Sequence, residues 1–263
     1  MIRYIHALTL FWSTAIGAEM EYRTNFIIAT LTSLLGLVGA IFTLSLFYQE
    51  DYAFAGWSWQ EAMLVLGFYT VLEGVSASFL APNLSRIVNH VRDGTLDFVL
   101  LKPIDSQFWL SLRNCSPWGL SSMVVGVAMI IYGGTQRQPD PLPLYAYLQG
   151  IIPAMLGIVV LYSIWFVLGA TTIWFVKIYN ATEALRAVLE AGRFPIQGYV
   201  GVWRSVLTFV IPVAFMTTVP AEAMLGRATW SWMVAAALLA VGLFTASRLF
   251  WRFALRYYTS ASS

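Results

Sequence analysis

Charge is scarce in this chain, and so is most of what enzyme sites are built from. Only 11% of its 263 residues are charged, against about 25% in a soluble globular domain. Cysteine occurs once, at Cys115, which excludes an intrachain disulfide. Histidine occurs twice, at His6 and His90, and with one cysteine these cannot make a metal site of the usual spacing. Glycine is never followed by lysine, so the chain has no phosphate-binding G-x-x-x-x-G-K-[ST] loop and cannot hold ATP that way. G-x-S-x-G, H-E-x-x-H and paired Cys-x-x-Cys are also missing. The net charge of +2 is small and the 15 Lys and Arg are dispersed, which argues against nucleic acid as a partner.

What fills the space is hydrophobic. Apolar residues make up 59% of the chain, and the mean hydropathy is +0.71. These values and the long apolar runs predict an all-α integral membrane protein. A crossing needs about 20 apolar residues. Six segments qualify: 26–47, 62–81, 118–133, 148–176, 202–219 and 230–250. The third is short and polar at its start. Pro153 and Pro212 fall inside the fourth and fifth, where neighbouring helices can re-satisfy the freed carbonyls. Residues 1–25 read as an interfacial helix, because Tyr4, Ile5, Leu8, Phe11, Trp12, Ala15 and Ile16 share one face. Polar residues at helical spacing set this stretch apart from a signal peptide.

Lys and Arg counts give the orientation. With both termini cytoplasmic, thirteen fall inside and only Arg137 and Arg227 outside. In that arrangement NATEALRAVLEAGR, residues 180–193, is a cytoplasmic helix. Asn180 and Glu183 form its capping box, and Gly192 and Pro195 end it. It rests on lipid or contacts another subunit.

One ionisable residue, Glu73, falls deep in a predicted span, about 16 Å past Ala62 at 1.5 Å per residue. A charge there costs about 2.5 kcal/mol or more and faces the bundle interior. It reads either as a substrate or gating contact or as a structural hydrogen bond to a neighbouring helix. Pro212 and Glu222 join it as candidates for a substrate path or gate. VPAEAMLGRATW, residues 219–230, is punctuated by Pro220 and Gly226 and fits a short re-entrant helix or a surface hairpin.

The loop 82–116 is the most informative part. VRDGTLDFVLLKPID, residues 91–105, holds Arg92, Asp93, Asp97, Lys102 and Asp105 beside apolar spans. Leu84, Ile87, Val88 and Val91 at helical spacing predict an amphipathic helix. Gly94 ends it in left-handed conformation, Pro103 stops the connector, and Asp105 caps the next helix. Leu96, Phe98, Val99, Leu100 and Leu101 are too apolar for a bare loop, so lipid, the bundle or a partner covers them.

APNLSRIVNHVRDGTLDFVLLKPIDSQFWLSLRNCSPWGL, EYRTNF before the first span and LTFVIPVAFMTTVPAEAMLG resemble permease subunits of ABC transporters of the type-two exporter class. The branch is the one described as an uncharacterised ABC transport-system permease, and the likeness covers most of the chain. It implies six transmembrane helices, an N-terminal interfacial helix, cytoplasmic termini and a bacterial inner-membrane location. It also implies a coupling helix between spans two and three and re-entrant extracellular helices between spans five and six. ATP and Mg belong to two separate ABC ATPase subunits, with no cofactor on this chain. A second permease subunit, the same or a different chain, completes the path among membrane lipids. Arg86, Asn89, His90, Arg92, Asp93, Gly94, Leu96 and Asp97 become the candidate ATPase-coupling surface. The resemblance points to a non-catalytic exporter subunit. A stand-alone secondary transporter or channel is the alternative; it would want several intramembrane ionisable groups or an inverted repeat. A membrane-embedded enzyme ranks third, for want of a catalytic cluster.

Overall fold

The computed structural model describes residues 2–20, 23–48, 54–175 and 179–258; the side chains of 2–7, 18–20, 23, 25, 26, 29, 33, 85 and 179–183 lie outside what is described. The described residues are helical apart from turns and one isolated bridge between Phe54 and Trp57. Among the described residues, four helices are long and apolar enough to cross a membrane: Trp59–Arg92, Pro117–Thr135, Leu144–Ile173 and Trp230–Ala254. A shorter apolar helix covers Thr30–Leu46.

Helix α1 (Ile2–Met20) leads into α2 (Arg23–Leu46). Helix α3 (Trp59–Val75) starts at a capping box, in which the Ser58 hydroxyl accepts from the Glu61 amide and the Glu61 carboxylate accepts from the Ser58 amide. One wide π-turn, Ser76–Leu80, joins it to α4 (Ala81–Arg92). The predicted second span and loop helix are thus one long, locally widened rod. Short α5 (Leu96–Leu100) and α6 (Ser106–Leu112) fold beneath it. A single 3₁₀ turn, Pro117–Gly119, precedes α7 (Leu120–Thr135). Helix α8 (Leu144–Ala170) accepts Pro153 without a break.

Helices α3 and α7 pack backbone to backbone through glycine. A Cβ on Gly74 would lie 2.6 Å from the Gly119 carbonyl oxygen, and one on Gly67 would lie 2.9 Å from that of Gly126. Small residues let helices approach this closely where water supplies no driving force between them.

The next segment differs from expectation. Helix α9 (Tyr179–Leu189) is followed by 3₁₀ turns at Glu190–Arg193 and Ile196–Gly198. Its neighbours fix its course. Arg186 lies over Trp165, five residues from the end of α8. Arg193 lies over Tyr69 of α3, and Phe194 meets Phe47, just past α2. Gln197 accepts from the Trp57 indole ahead of α3. The chain from 179 to 198 therefore climbs beside α3 and α8 from one end of the bundle to the other. It does not stay at the end where Asp105 lies, as the sequence predicted. The predicted capping pair, Asn180 and Glu183, falls on side chains outside the described set.

The expected fifth span over 202–219 is likewise not one helix. Helix α10 (Val202–Ser205) and a π-turn, Val206–Val210, lead to a break at Ile211–Pro212, and then come α11 (Val213–Met216) and α12 (Thr218–Met224). Proline forces the residue before it out of the helical region, and Ile211 is extended. Ile211 borders the same cavity as Ser163 and Leu168, deep along α8. Met224 lies beside Gly150, near the start of α8. Residues 202–224 thus enter and leave by the Trp57 end. Helix α13 (Trp230–Ala254) then runs the full depth again.

Candidate functional site

Three polar groupings lie along the bundle. The first is the loop at the Asp105 end. Helix α4 closes with the Thr95 amide bonded to the His90 carbonyl at 3.0 Å and the Gly94 amide to that of Val91 at 3.4 Å. Gly94 has φ +67°. That pairing is a Schellman motif, which needs a left-handed residue after the helix. His90 reaches Thr95 through Nδ1 at 2.7 Å and packs on Trp109. The Asp105 carboxylate accepts from the Phe108 amide at 2.9 Å. It also takes a two-pronged ion pair from Arg248 of α13, one arm at 2.7 Å. The Arg248 hydrogen bond is the main reason the Asp105 carboxyl sits below the usual carboxylate range. Gln107 donates to the Tyr162 hydroxyl and to Ser247, and the Trp251 indole donates to Ser106. Asn83 grips Asn114 through both backbone and side chain. The loop is therefore fastened to α4, α8 and α13.

Of the eight candidate coupling residues, Arg86, Asn89, Arg92 and Asp93 are exposed, the last two paired at 2.9 Å. His90, Gly94 and Asp97 are half-buried. Leu96 is wholly buried and cannot be a surface contact, because every apolar residue on the inward side of α5 packs into the bundle. Sequence reasoning leaves out the outward side: Phe98 is 69% exposed and Leu101 81%. The alternation of Leu96 and Val99 against Phe98 and Leu101 is the signal that could have found it.

The second grouping sits midway. Glu73 of α3 borders a cavity of about 400 Å³ with Tyr69, Trp165, Arg186, Glu190 and Met216. Tyr69, Glu73, Ala77 and Arg186 also border a second cavity, of about 630 Å³, between α2, α3 and α7. Arg193 pairs with Glu190 at 3.7 Å. The sequence marks this cluster by the spacing 186, 190, 193, one face of a helix turned towards the cavities that Glu73 borders. Sequence reasoning misses Arg186, Glu190 and Arg193 as site residues because charge counting assigns them to the cytoplasm. Pro212 is buried at the break beside the smaller cavity, which Val213 and Thr217 line. Glu222 lies elsewhere.

The third grouping is at the Trp57 end. Glu61, almost fully buried, accepts from Arg227 at 2.6 Å and from Arg137 at 3.3 Å. Arg227 lies over the Trp57 ring. Gln197 donates to Glu222 at 2.5 Å, so Glu222 belongs to this fastening and not to the Glu73 cavities. Three connections, before α3, after α7 and after α12, converge on the Glu61 carboxylate. Among the described residues no three His, Cys, Asp or Glu side chains could hold a metal ion.

A rigid polar loop at one end, charged cavities midway and a latch at the other end suit a conduit. No curated protein and no solved structure matches the chain. The family model described as ABC-2 family transporter protein matches residues 34–262, nearly all of the bundle. Membership implies partnership with ABC ATPase subunits. The chain belongs to the ABC-2 transporter family, as a multi-pass membrane permease.

Proposed function

We propose that this permease subunit exports its substrate by alternating access, driven by ATPase chains that dock at the Asp105 end. The observation that carries the proposal is the exposed pair Phe98 and Leu101 on a loop tied to α13 by the Asp105–Arg248 ion pair. Exposed apolar side chains in a region that also exposes Arg86, Arg92 and Lys102 suit a protein partner. Movement imposed there reaches α8 through Gln107 and Tyr162, and α13 through Arg248. ATP and Mg stay on the partner; this chain receives motion only.

The crossings in this reading are α2, α3 with α4, α7, α8, residues 179–198 and α13, with 202–224 as the re-entrant element. Both termini and the Asp105 end face the cytoplasm of a bacterial inner membrane. Charge counting supports it: Arg86, Arg92, Lys102, Arg113, Arg248, Arg252 and Arg256 lie at that end, against Arg137, Arg204 and Arg227 at the other. A second permease, of the same or a different sequence, closes the path. The stand-alone transporter gains one point, because Glu73, Arg186, Glu190 and Arg193 meet in mid-bundle. The family relation still favours the ATP-driven reading.

Co-purification tests it. A P-loop ATPase should accompany the chain. Phe98→Asp with Leu101→Asp should detach the ATPase, and Arg92→Ala with Asp97→Ala should weaken association or uncouple hydrolysis from transport. Unchanged association and transport in both double variants would remove the docking role.

A further inference from the structure

We infer that the outward stripe of α13 is a binding site for an anionic phospholipid, with the phosphate at Arg252 and Arg256 and an acyl chain along Leu249, Val241 and Leu238. Leu238, Val241, Thr245, Leu249, Arg252 and Arg256 follow one another at steps of three or four residues, so they share one face. All six are exposed. Arg252 lies in the last turn of the helix. Arg256 follows in a tight turn, in which its amide donates to the Phe253 carbonyl at 3.0 Å. Among the described residues neither arginine has an ion pair, and Asp105 is taken by Arg248. The row beside the arginines is aromatic. Trp174, Phe253 and Tyr257 are exposed and meet one another with ring centroids 4.9 to 6.0 Å apart.

Length and charge select the occupant. Leu249 lies eleven residues past Leu238, about 16 Å at 1.5 Å per residue. Half of a hydrocarbon core of about 30 Å is about 15 Å. A chain laid along the stripe from Arg252 therefore fits one leaflet. Trp and Tyr rings settle at headgroup level, which puts the two guanidinium groups there as well. Guanidinium groups meet phosphate oxygens through several N–H donors at once. The C-terminal end of a helix carries about half a negative charge. Two arginines outweigh it, so the site is net positive and favours a headgroup of net negative charge over a zwitterion. A second copy of the chain fits this face poorly. Copies in one membrane share an orientation, so a twofold contact would set arginine against arginine. Helix α13 has no Asp or Glu to come between them. The inference takes from the permease reading only the placement of this end at the cytoplasmic leaflet; binding itself does not require that reading.

Native mass spectrometry of the full chain, released from uncharged maltoside micelles, tests this. The probes are palmitoyl-oleoyl phosphatidylglycerol and palmitoyl-oleoyl phosphatidylcholine in equal amounts, which share both tails. The chain should retain phosphatidylglycerol about tenfold more than phosphatidylcholine. Arg252→Gln with Arg256→Gln should remove that preference, and Arg252→Lys with Arg256→Lys should keep most of it. Arg204→Gln, at the other end of the bundle, should leave it unchanged, and inorganic phosphate should not displace the lipid. Elution volume and melting temperature check that the variants are folded. The inference is overturned if the intact chain retains both lipids alike, if the double glutamine variant keeps the preference, or if Arg204→Gln abolishes it. Displacement by inorganic phosphate would reassign the arginines to a free anion. A lipid-free dimer that the double glutamine variant turns into monomer would assign the stripe to a second copy. Either result also overturns the lipid site. Because no ATPase takes part, this failure is separate from loss of ATPase co-purification.

Discussion

Helix α13 and the climb from 179 to 198 both run the depth of the bundle, yet their sequences share almost nothing. The first carries no charge until Arg248 near its end, with Leu238, Val241 and Leu249 turned outward and exposed. The second carries Arg186, Glu190 and Arg193 within eight residues. The difference teaches what hydropathy measures. It reports whether a helix faces lipid, not whether it crosses. A helix wrapped by α3 and α8 can carry charge, because its polar side meets Glu73, Tyr69 and Trp165 instead of hydrocarbon.

The largest effect that could break this comparison is all-or-none. Val200 is exposed between the climb and the folded-back segment 202–224. In a Cys115→Ser background, Val200→Cys should react with an impermeant maleimide added outside the cell and not with one confined inside. The opposite result would return residues 180–193 to the cytoplasm and reinstate a crossing over 202–219.

Next comes packing without charge. A side chain at Gly74 meets the α7 backbone, which cannot rotate away. Overpacking of this kind typically costs about 1–3 kcal/mol. Gly74→Val should lower the melting temperature in detergent markedly, whereas Leu238→Val on the outward face of α13 should barely move it. Equal losses would mean that the two faces are packed alike.

The smallest effect concerns the tie between loop and helix. Arg248→Ala removes the ion-pair partner of Asp105; both side chains are about a third exposed, and solvent screening holds such a pair to about 1 kcal/mol. The pH response has a fixed sign. Because Asp105 is held below the unfolded carboxylate value of about 3.9, its contribution is complete above that pH. It is lost as the pH falls through the lower folded value. Thermal melts from pH 6 to pH 3 should therefore fall more steeply for the intact chain than for Asp105→Asn. Parallel curves would mean that the ion pair adds no stability.

Much of this was legible in the sequence, for local reasons. Gly94 and Asp105 announce helix ends through backbone chemistry, which needs no tertiary context. The long apolar runs near α2, α3, α7, α8 and α13 announce themselves by length. Residues 179–224 were not legible, because two signals pointed the wrong way. Four charged positions in one amphipathic stretch look like a water-facing helix until Glu73 is known to border the same cavities. The apolar run 202–219 looks like a crossing until Pro212 is seen to reverse the chain. Leu96 misleads for a simpler reason: its neighbours are polar, but its own side chain points inward.

The widened turn at Ser76–Leu80 has a consequence for the lineage of this chain. A π-turn holds one more residue than an α-turn in the same rise, so everything after it is rotated by about 100° relative to an uninterrupted helix. That rotation sets Leu84 and Ile87 inward and Arg86 and Arg92 outward. A single-codon deletion between 76 and 80 would heal the helix and swing the charged face into the apolar core. The reading frame of the loop is therefore stored as one surplus residue about twenty positions upstream of the loop's exposed apolar tip.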